Sequence, residues 1–154
     1  MRTRFRHLAA VTTVLTFALI LLGVYTGAIG AGLACAGRWP LCDGVFGLFP
    51  ANWPSFVEWF HRLVAMITGF AILGTAYLAW RHGLDRRIRY AAAVALALLP
   101  LQVLLGANTI FNFGPWAQVL HQGTAQLIFG ALLVATTVAY AGGEGPPPAE
   151  TGAD

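Results

Sequence analysis

The chain has 154 residues, of which 58% are hydrophobic and only 10% are charged, with a mean hydropathy of +0.70. This composition excludes an ordinary soluble domain and is typical of an integral membrane protein. The net charge of +3 does not indicate nucleic-acid binding, because the basic residues flank apolar runs and form no separate basic domain.

Four apolar runs are long enough to cross a bilayer, which takes about 20 residues. They cover Leu8–Ile29, Phe56–Trp80, Tyr90–Ile110 and Trp116–Tyr140. We therefore predict an all-α fold, an integral membrane four-helix bundle formed by residues 1–141, in which Pro100 kinks the third helix. Residues 142–154 are polar and rich in proline, and we predict a disordered cytoplasmic tail there.

The first run has an alternative interpretation as a cleaved signal peptide, because residues 1–36 combine a charged start, an apolar stretch and small residues. Its apolar part exceeds the roughly 7–15 residues of a signal-peptide core, so we favour a membrane helix. Gly23 and Gly27 in this run have the GxxxG spacing of close helix packing. They are either a packing face, which an oligomer interface could use, or flexible filler.

Most arginines either precede the first run or lie between the second and third runs. These are Arg2, Arg4, Arg6, Arg81, Arg86, Arg87 and Arg89. Cytoplasmic loops carry the excess of positive charge, so both termini are predicted to be cytoplasmic in a multi-pass protein of the plasma membrane. The first connection, which holds both cysteines, then lies on the outer, oxidising face.

That connection contains the segment ACAGRWPLCDG, in which six residues separate Cys35 from Cys42. Gly37 and Pro40 permit a reversal that would bring the two Cα atoms within about 4.4–6.8 Å, so the thiols can pair. A static staple and a redox-active disulfide are both open, and the residues alone favour the staple. Two thiols fall short of the three or four protein ligands of a zinc site.

The second run begins with VEWFHRL, which places Glu58, His61 and Arg62 on one helix face within a single turn. Ionisable groups within membrane segments usually mark a functional site or a pairing network. The simpler alternative is an interfacial cluster in which Glu58 and Arg62 form an ion pair and His61 contacts headgroups.

The fourth run places His121 about one turn from its start. Because the second and fourth helices cross the membrane in the same direction, His61 and His121 are expected at similar depth. Two histidines at matched depth in a helix bundle suit axial ligation of a haem iron. Small residues next to them leave room for a macrocycle: Ala65, Thr68, Gly69 and Ala125. His7 and His82 lie among arginines and are not expected to be ligands.

Together these motifs resemble the haem A synthases of cytochrome oxidase assembly. The resemblance is carried by GAGLACAGRWPLCDG, EWFHR, QVLLGANTI and VLHQGTAQLIFG, which occur in that order over most of residues 23–130. It implies oxidation of the C8 methyl group of haem O to a formyl group. The resemblance therefore implies haem as the bound group, either as the haem O substrate, as haem b, or both.

The resemblance also implies roles for individual residues. His61 and His121 would bind haem, Glu58 would be the acidic group near the reacting methyl, and Arg62 would pair with Glu58 or a haem propionate. Cys35 and Cys42 would form an outer-face disulfide.

Family members commonly contain two four-helix halves, and this chain resembles the amino-terminal one. The resemblance therefore implies a homodimer or higher oligomer in the lipid bilayer. Haem O synthase and terminal oxidase subunits are the further partners expected.

Two other functions would also use His61 and His121 to bind haem. A bis-histidine membrane cytochrome b would pass electrons across the bilayer, but it would need haems near both faces, and His82 in a loop is the one histidine near the inner helix ends of runs two and three. A non-catalytic haem carrier or assembly factor has no evident use for Glu58.

Overall fold

The computed structural model describes residues 2–112 and 114–142. It contains four long helices, α1 (Arg2–Ala28), α2 (Trp53–Arg81), α3 (Arg86–Phe111) and α4 (Pro115–Ala141). A short 3₁₀ turn, Ala31–Leu33, follows α1. All four helices are long and apolar enough to cross a membrane, which confirms the predicted all-α membrane bundle. The predicted disordered tail lies outside the described residues from position 143 onward.

The helices extend beyond the apolar runs at several ends, because polar flanking residues continue the same backbone hydrogen bonding. The first turns of α2 and α3 are capped by side chains that satisfy free backbone N–H groups. The side chain of Asn52 accepts a hydrogen bond from the amide of Ser55 at 3.0 Å, and that of Asp85 accepts one from the amide of Arg87 at 2.7 Å. Helix α3 is unbroken at Pro100, which lies on the exposed surface.

The short connections 82–85 and 112–114 make consecutive helices antiparallel. Helix α1 packs against α2 and α4, and α3 packs against the same two helices. We call the end that holds residues 29–52 and 112–114 the loop end, and the opposite end, with connection 82–85, the arginine end.

Small side chains close the bundle toward the arginine end. The buried cluster there combines alanines with two larger residues: Phe5, Ala9, Ala76, Ala79, Ile88, Ala92, Ala135 and Ala139. A second cluster of Ile72, Ala95, Ile128 and Leu132 lies next to it toward the loop end. Alanine allows membrane helices to approach closely, so van der Waals packing holds this half together.

Buried threonines add polar contacts between the helices in the same half. The hydroxyl oxygens of Thr12 on α1 and Thr75 on α2 lie 3.1 Å apart, and those of Thr13 on α1 and Thr136 on α4 lie 2.9 Å apart. Interhelical hydrogen bonds of this kind contribute about 0.6 kcal/mol each in membrane proteins. Threonine contacts therefore join α1 to both α2 and α4 in the arginine half of the bundle.

We expect Ala95→Leu to destabilise the protein, because Ala95 is fully buried between helices and the added carbons have no space. Overpacking of this kind costs about 1–3 kcal/mol. Ala97→Leu is the matched control, since Ala97 lies on the same helix with its side chain exposed. Thermal unfolding of both variants in detergent measures the difference, and equal midpoints would contradict close packing at Ala95.

Candidate functional site

A cavity of about 640 Å³ occupies the loop half of the bundle, between all four helices. Its floor includes Ile72 and Ile128 of the second buried cluster. Its roof is the connection between α1 and α2, through Trp39, Pro40 and Leu41. The volume falls within the range of about 300–1,000 Å³ that is typical of small-molecule and cofactor sites.

His61 of α2 and His121 of α4 both line this cavity, and each lies against a glycine of the preceding helix. A methyl group at Gly23 would be 3.1 Å from Cε1 of His61, and one at Gly106 would be 3.1 Å from Cε1 of His121. Because protein interiors are close-packed, side chains at these two positions would displace the imidazoles. The two imidazole rings therefore pack directly against the backbones of α1 and α3, which support them.

The imidazole nitrogens have few partners of their own. Nδ1 of His61 and Nδ1 of His121 are both buried and make no hydrogen bond within the described residues. Nε2 of His121 lies 3.4 Å from the amide nitrogen of Gln102. Buried polar atoms are normally paired, so unpaired imidazole nitrogens in a cavity indicate that the cavity holds a ligand.

Haem fits this donor set better than a metal ion bound by protein alone. Among residues 2–112 and 114–142, the His, Cys, Asp and Glu side chains form no group of three or more that could hold a metal ion. Two imidazoles from facing helices are a donor set that suits a haem iron, since the porphyrin would provide the remaining ligands. The small residues expected near them, Ala65, Thr68, Gly69 and Ala125, all line the cavity.

Glu58 lies in the same cavity, one turn closer to the loop end than His61, and is 6% exposed. Nε of Arg62 donates a hydrogen bond to its Oε1 at 2.9 Å. A buried carboxylate is costly unless it is paired and hydrogen-bonded, and Arg62 supplies both the charge and the hydrogen bond for Glu58.

Arg62 also holds the loop over the cavity. Its Nη1 donates to the carbonyl oxygens of Arg38 at 2.9 Å, Pro40 at 3.3 Å and Leu41 at 2.6 Å. Its Nη2 is buried and has no partner within the described residues. One guanidinium therefore connects the roof of the cavity to Glu58 and retains one donor group for an anionic ligand.

Cys35 and Cys42 form a disulfide with a Cα–Cα distance of 4.5 Å, and both are 1% exposed. The hydroxyl of Ser55 lies within hydrogen-bonding distance of the carbonyl oxygen of Ala34 at 3.0 Å and Oδ2 of Asp43 at 2.8 Å. These contacts fasten both ends of the disulfide-closed segment to the first turn of α2. The loop is thus held at its ends by Ser55 and in its middle by Arg62.

The structure also gives the positions of the other residues singled out from the sequence, namely the two glycines of α1, Arg38 and the two remaining histidines. Gly23 and Gly27 both line the cavity; Gly23 packs against His61, and a subunit interface on this glycine face stays a prediction. The side chain of Arg38 is exposed, and it is its carbonyl group that reaches the site. His7 and His82 are exposed toward the arginine end and lie far from the cavity residues.

The structure also reveals an internal repeat that the sequence analysis missed. The segments LLGVYT (21–26) and LLGANT (104–109) share a Leu-Leu-Gly and a threonine, and EWFHRLVA (58–65) matches QVLHQGTA (118–125) at histidine and alanine. The hairpin α1–α2 therefore corresponds to the hairpin α3–α4. The repeat can be recognised in the sequence from two spacings that both hairpins share. These are three residues from glycine to threonine and four residues from histidine to alanine.

Three glutamines in the cavity wall were also missed. Gln102, Gln118 and Gln122 all line the cavity, and Oε1 of Gln102 is buried with no hydrogen-bond partner within the described residues. In the repeat, Gln118 and Gln122 correspond to Glu58 and Arg62. The first hairpin thus contributes an ion pair where the second contributes neutral amides.

Comparison with known proteins identifies similar chains. A family profile described as "Cytochrome oxidase assembly protein" matches residues 3–133. A "Heme A synthase" from Bacillus licheniformis is 30% identical over 143 residues, which are 91% of this chain and 47% of that protein. A "Heme A synthase" from Bacillus pumilus is 29% identical over 144 residues, 91% of this chain and 46% of its own length.

A second group of similar proteins has a different printed name. A "Protoheme IX farnesyltransferase" from Halobacterium salinarum is 40% identical over 136 residues, which are 86% of this chain and 29% of that protein. The chain therefore spans less than half the length of these curated relatives.

We expect Arg62→Met to lower the free energy of unfolding by about 3–5 kcal/mol, because it leaves the buried Glu58 carboxylate without its partner. The double variant Glu58→Gln/Arg62→Met removes the charge as well, so its loss should be smaller than the sum of the two single losses. Denaturant unfolding in detergent measures all three. Strict additivity would mean that the ion pair carries no coupling energy.

Proposed function

The chain belongs to the family of cytochrome oxidase assembly proteins, and on that premise we propose that it oxidises the C8 methyl group of haem O to a formyl group. The observation that carries the proposal is a single cavity lined by His61, His121 and the buried Glu58. Two imidazoles account for binding a haem, and a carboxylate beside them accounts for chemistry on it.

In this proposal His61 and His121 would bind the haem iron. The unpartnered nitrogens and the glycine supports of both imidazoles favour this assignment. Arg62 meets a propionate through its free Nη2, which places the propionates toward the loop end. The bound haem supplies both the redox-active iron and the methyl group that is oxidised.

Converting a ring methyl to a formyl group adds one oxygen atom from water and removes four protons and four electrons. The electrons pass to an external two-electron oxidant in two successive steps. Glu58 takes up protons and stabilises positive charge that develops at the methyl carbon, an effect that is strong in a cavity of low dielectric constant. Arg62 bonds Oε1 of Glu58, which leaves Oε2 for proton transfer.

The membrane orientation in the proposal follows from charge. Seven of the nine arginines lie in the N-terminal segment or in the helix ends that flank connection 82–85, so the proposal puts the arginine end in the cytoplasm and the loop end on the outer face of the plasma membrane. There an oxidising environment maintains the Cys35–Cys42 disulfide. Comparison of haem conversion in the Cys35→Ser and Cys42→Ser variants tests whether the disulfide also exchanges electrons.

The proposal also includes partners. In a homodimer or higher oligomer a second copy would provide a second haem site. A haem O synthase would supply the substrate and a terminal oxidase would receive the product.

The proposal is tested by expressing the chain together with a haem O synthase and separating the extracted haems by chromatography. We expect haem A or its hydroxylated precursor with the wild-type chain. Glu58→Gln should abolish conversion while the haem absorption spectrum remains, because the variant keeps both imidazoles. Bound haem without conversion in the wild-type chain would instead support the cytochrome or carrier function.

We expect Gly23→Ala to reduce haem occupancy about tenfold or more, the usual effect of disturbing a residue that orients a metal ligand. The added methyl would press on the His61 ring, and His61→Ala provides the reference for complete loss of that ligand. Gly74→Ala on α2 is the control, because a methyl group there meets nothing within 4 Å. The Soret absorbance per protein measures occupancy, and equal values for Gly23→Ala and Gly74→Ala would contradict the support role.

A further inference from the structure

The repeat makes the cavity nearly symmetric around its two histidines. A methyl at Gly23 would lie 3.1, 3.7 and 3.9 Å from Cε1, Nδ1 and Nε2 of His61, and one at Gly106 would lie 3.1, 3.6 and 3.8 Å from the same atoms of His121. The two imidazoles are thus held in matching positions about an axis along the bundle.

A haem between these histidines can enter in two ways. The haem can be rotated by 180° about the axis that runs between the propionates and through the iron. This rotation exchanges the two faces and the two edges of the ring. It leaves the propionates at the same end but exchanges the C8 methyl with the C5 methyl. The matched histidines and glycines contact both arrangements alike, so residues that differ between the hairpins must select one.

One such difference lies below the histidines, on the side toward the arginine end. Gln102 is four residues before Gly106, and the corresponding residue four before Gly23 is Leu19. Both line the cavity, but only Gln102 offers hydrogen bonds. Its Oε1 is buried and accepts none within the described residues, which is costly for an amide unless a ligand supplies the donor.

Gln102 and Glu58 lie on the same side of the cavity. Glu58 and Gly69 are eleven residues apart, about three helical turns, so they share a face of α2. A methyl group at Gly69 would lie 3.7 Å from Leu99 of α3, and Gln102 is one turn further along α3. The cavity wall between α2 and α3 therefore carries a carboxylate one turn above His61 and an amide one turn below Gly106, and the amide nitrogen lies 3.4 Å from Nε2 of His121.

The chemistry of haem O matches this pair. Its C2 substituent bears a hydroxyl group next to the ring and continues as a prenyl chain, and the pyrrole that carries it neighbours the pyrrole with the C8 methyl. We propose that Gln102 accepts a hydrogen bond from this hydroxyl and thereby selects the haem orientation in which the C8 methyl, and not the C5 methyl, faces Glu58. Gln102 is then a specificity-determining residue; this role rests on the proposed function.

The α2–α3 side also has room for the prenyl chain. Met66 of α2 and Val103 of α3 line the cavity and are nevertheless 55% and 47% exposed. The cavity therefore reaches the lipid-facing surface between these two helices, next to Gln102. The prenyl chain continues from the carbon that bears the hydroxyl bound by Gln102. In the proposal it leaves the cavity through this opening into the bilayer, where its burial is favourable.

The test compares wild-type chain, Gln102→Leu and Gln102→Met, each purified in detergent and loaded with ferric haem O or protohaem, which lacks the hydroxyl. Soret titration gives affinity, and the proton NMR signals of the ring methyls count the orientations present. We expect one set of methyl signals for wild type with haem O. Both variants should show two sets and bind haem O about tenfold more weakly than wild type, the effect of losing one buried hydrogen bond, while they still bind protohaem.

A gain-of-function variant provides the matched control. Leu19→Gln combined with Gln102→Leu moves the amide to the opposite edge, so the second set of methyl signals should predominate with haem O. The proposal is overturned if both Gln102 variants keep a single set with haem O, or if both lose protohaem as well, which would make Gln102 structural. A wild-type chain that binds no haem contradicts the proposed function itself.

Discussion

The contact between each cavity histidine and the glycine of the preceding helix is the constraint on which the site depends. Gly23 and Gly106 leave no side chain between the helix backbone and the imidazole, so both rings lie against α1 and α3 and face the space between the helices. The arginine half has alanines and threonines at the comparable interior positions. The glycines of the loop half instead leave room for the two imidazoles and for the cavity of about 640 Å³ that they line.

Arg62 extends this local arrangement to the loop above it. A guanidinium in a membrane protein interior needs many acceptors, and here it has the Glu58 carboxylate and three carbonyl groups of residues 38–41. The Cys35–Cys42 disulfide closes the loop that presents those carbonyls. The roof of the cavity, the disulfide and the acidic group are consequently one hydrogen-bonded unit, which is why the loop belongs to the site although no loop side chain is among the proposed ligands.

The two hairpins show how a repeated architecture acquires direction. Both supply a histidine on a glycine support, but only the first supplies Glu58 and Arg62, and only the second supplies Gln102. Symmetric positions bind the common features of a ligand. Chemistry at one particular edge requires the positions at which the repeat is broken.

Hydropathy and helical periodicity were sufficient for the four helices, because an apolar run of spanning length in a membrane has few alternatives to a helix. The same reasoning placed Glu58, His61 and Arg62 on one face and matched His121 to His61 in depth, since helix rise and direction determine depth. Gln102 could not be assigned in this way. A single amide in an apolar run can face lipid, a neighbouring helix or a cavity, and its function depends on which.

The sequence by itself therefore determined the fold class, the spans and the depth of each polar residue, all of which are local properties of one helix at a time. Only the tertiary structure decided how each helix is rotated about its own axis and which helices are neighbours. That rotation put Gly23 against His61 and brought Gln102 into the cavity. It also directed Arg62, which pairs with Glu58 on its own helix, to the loop above the cavity, because packing between segments is a property of pairs that no single segment encodes.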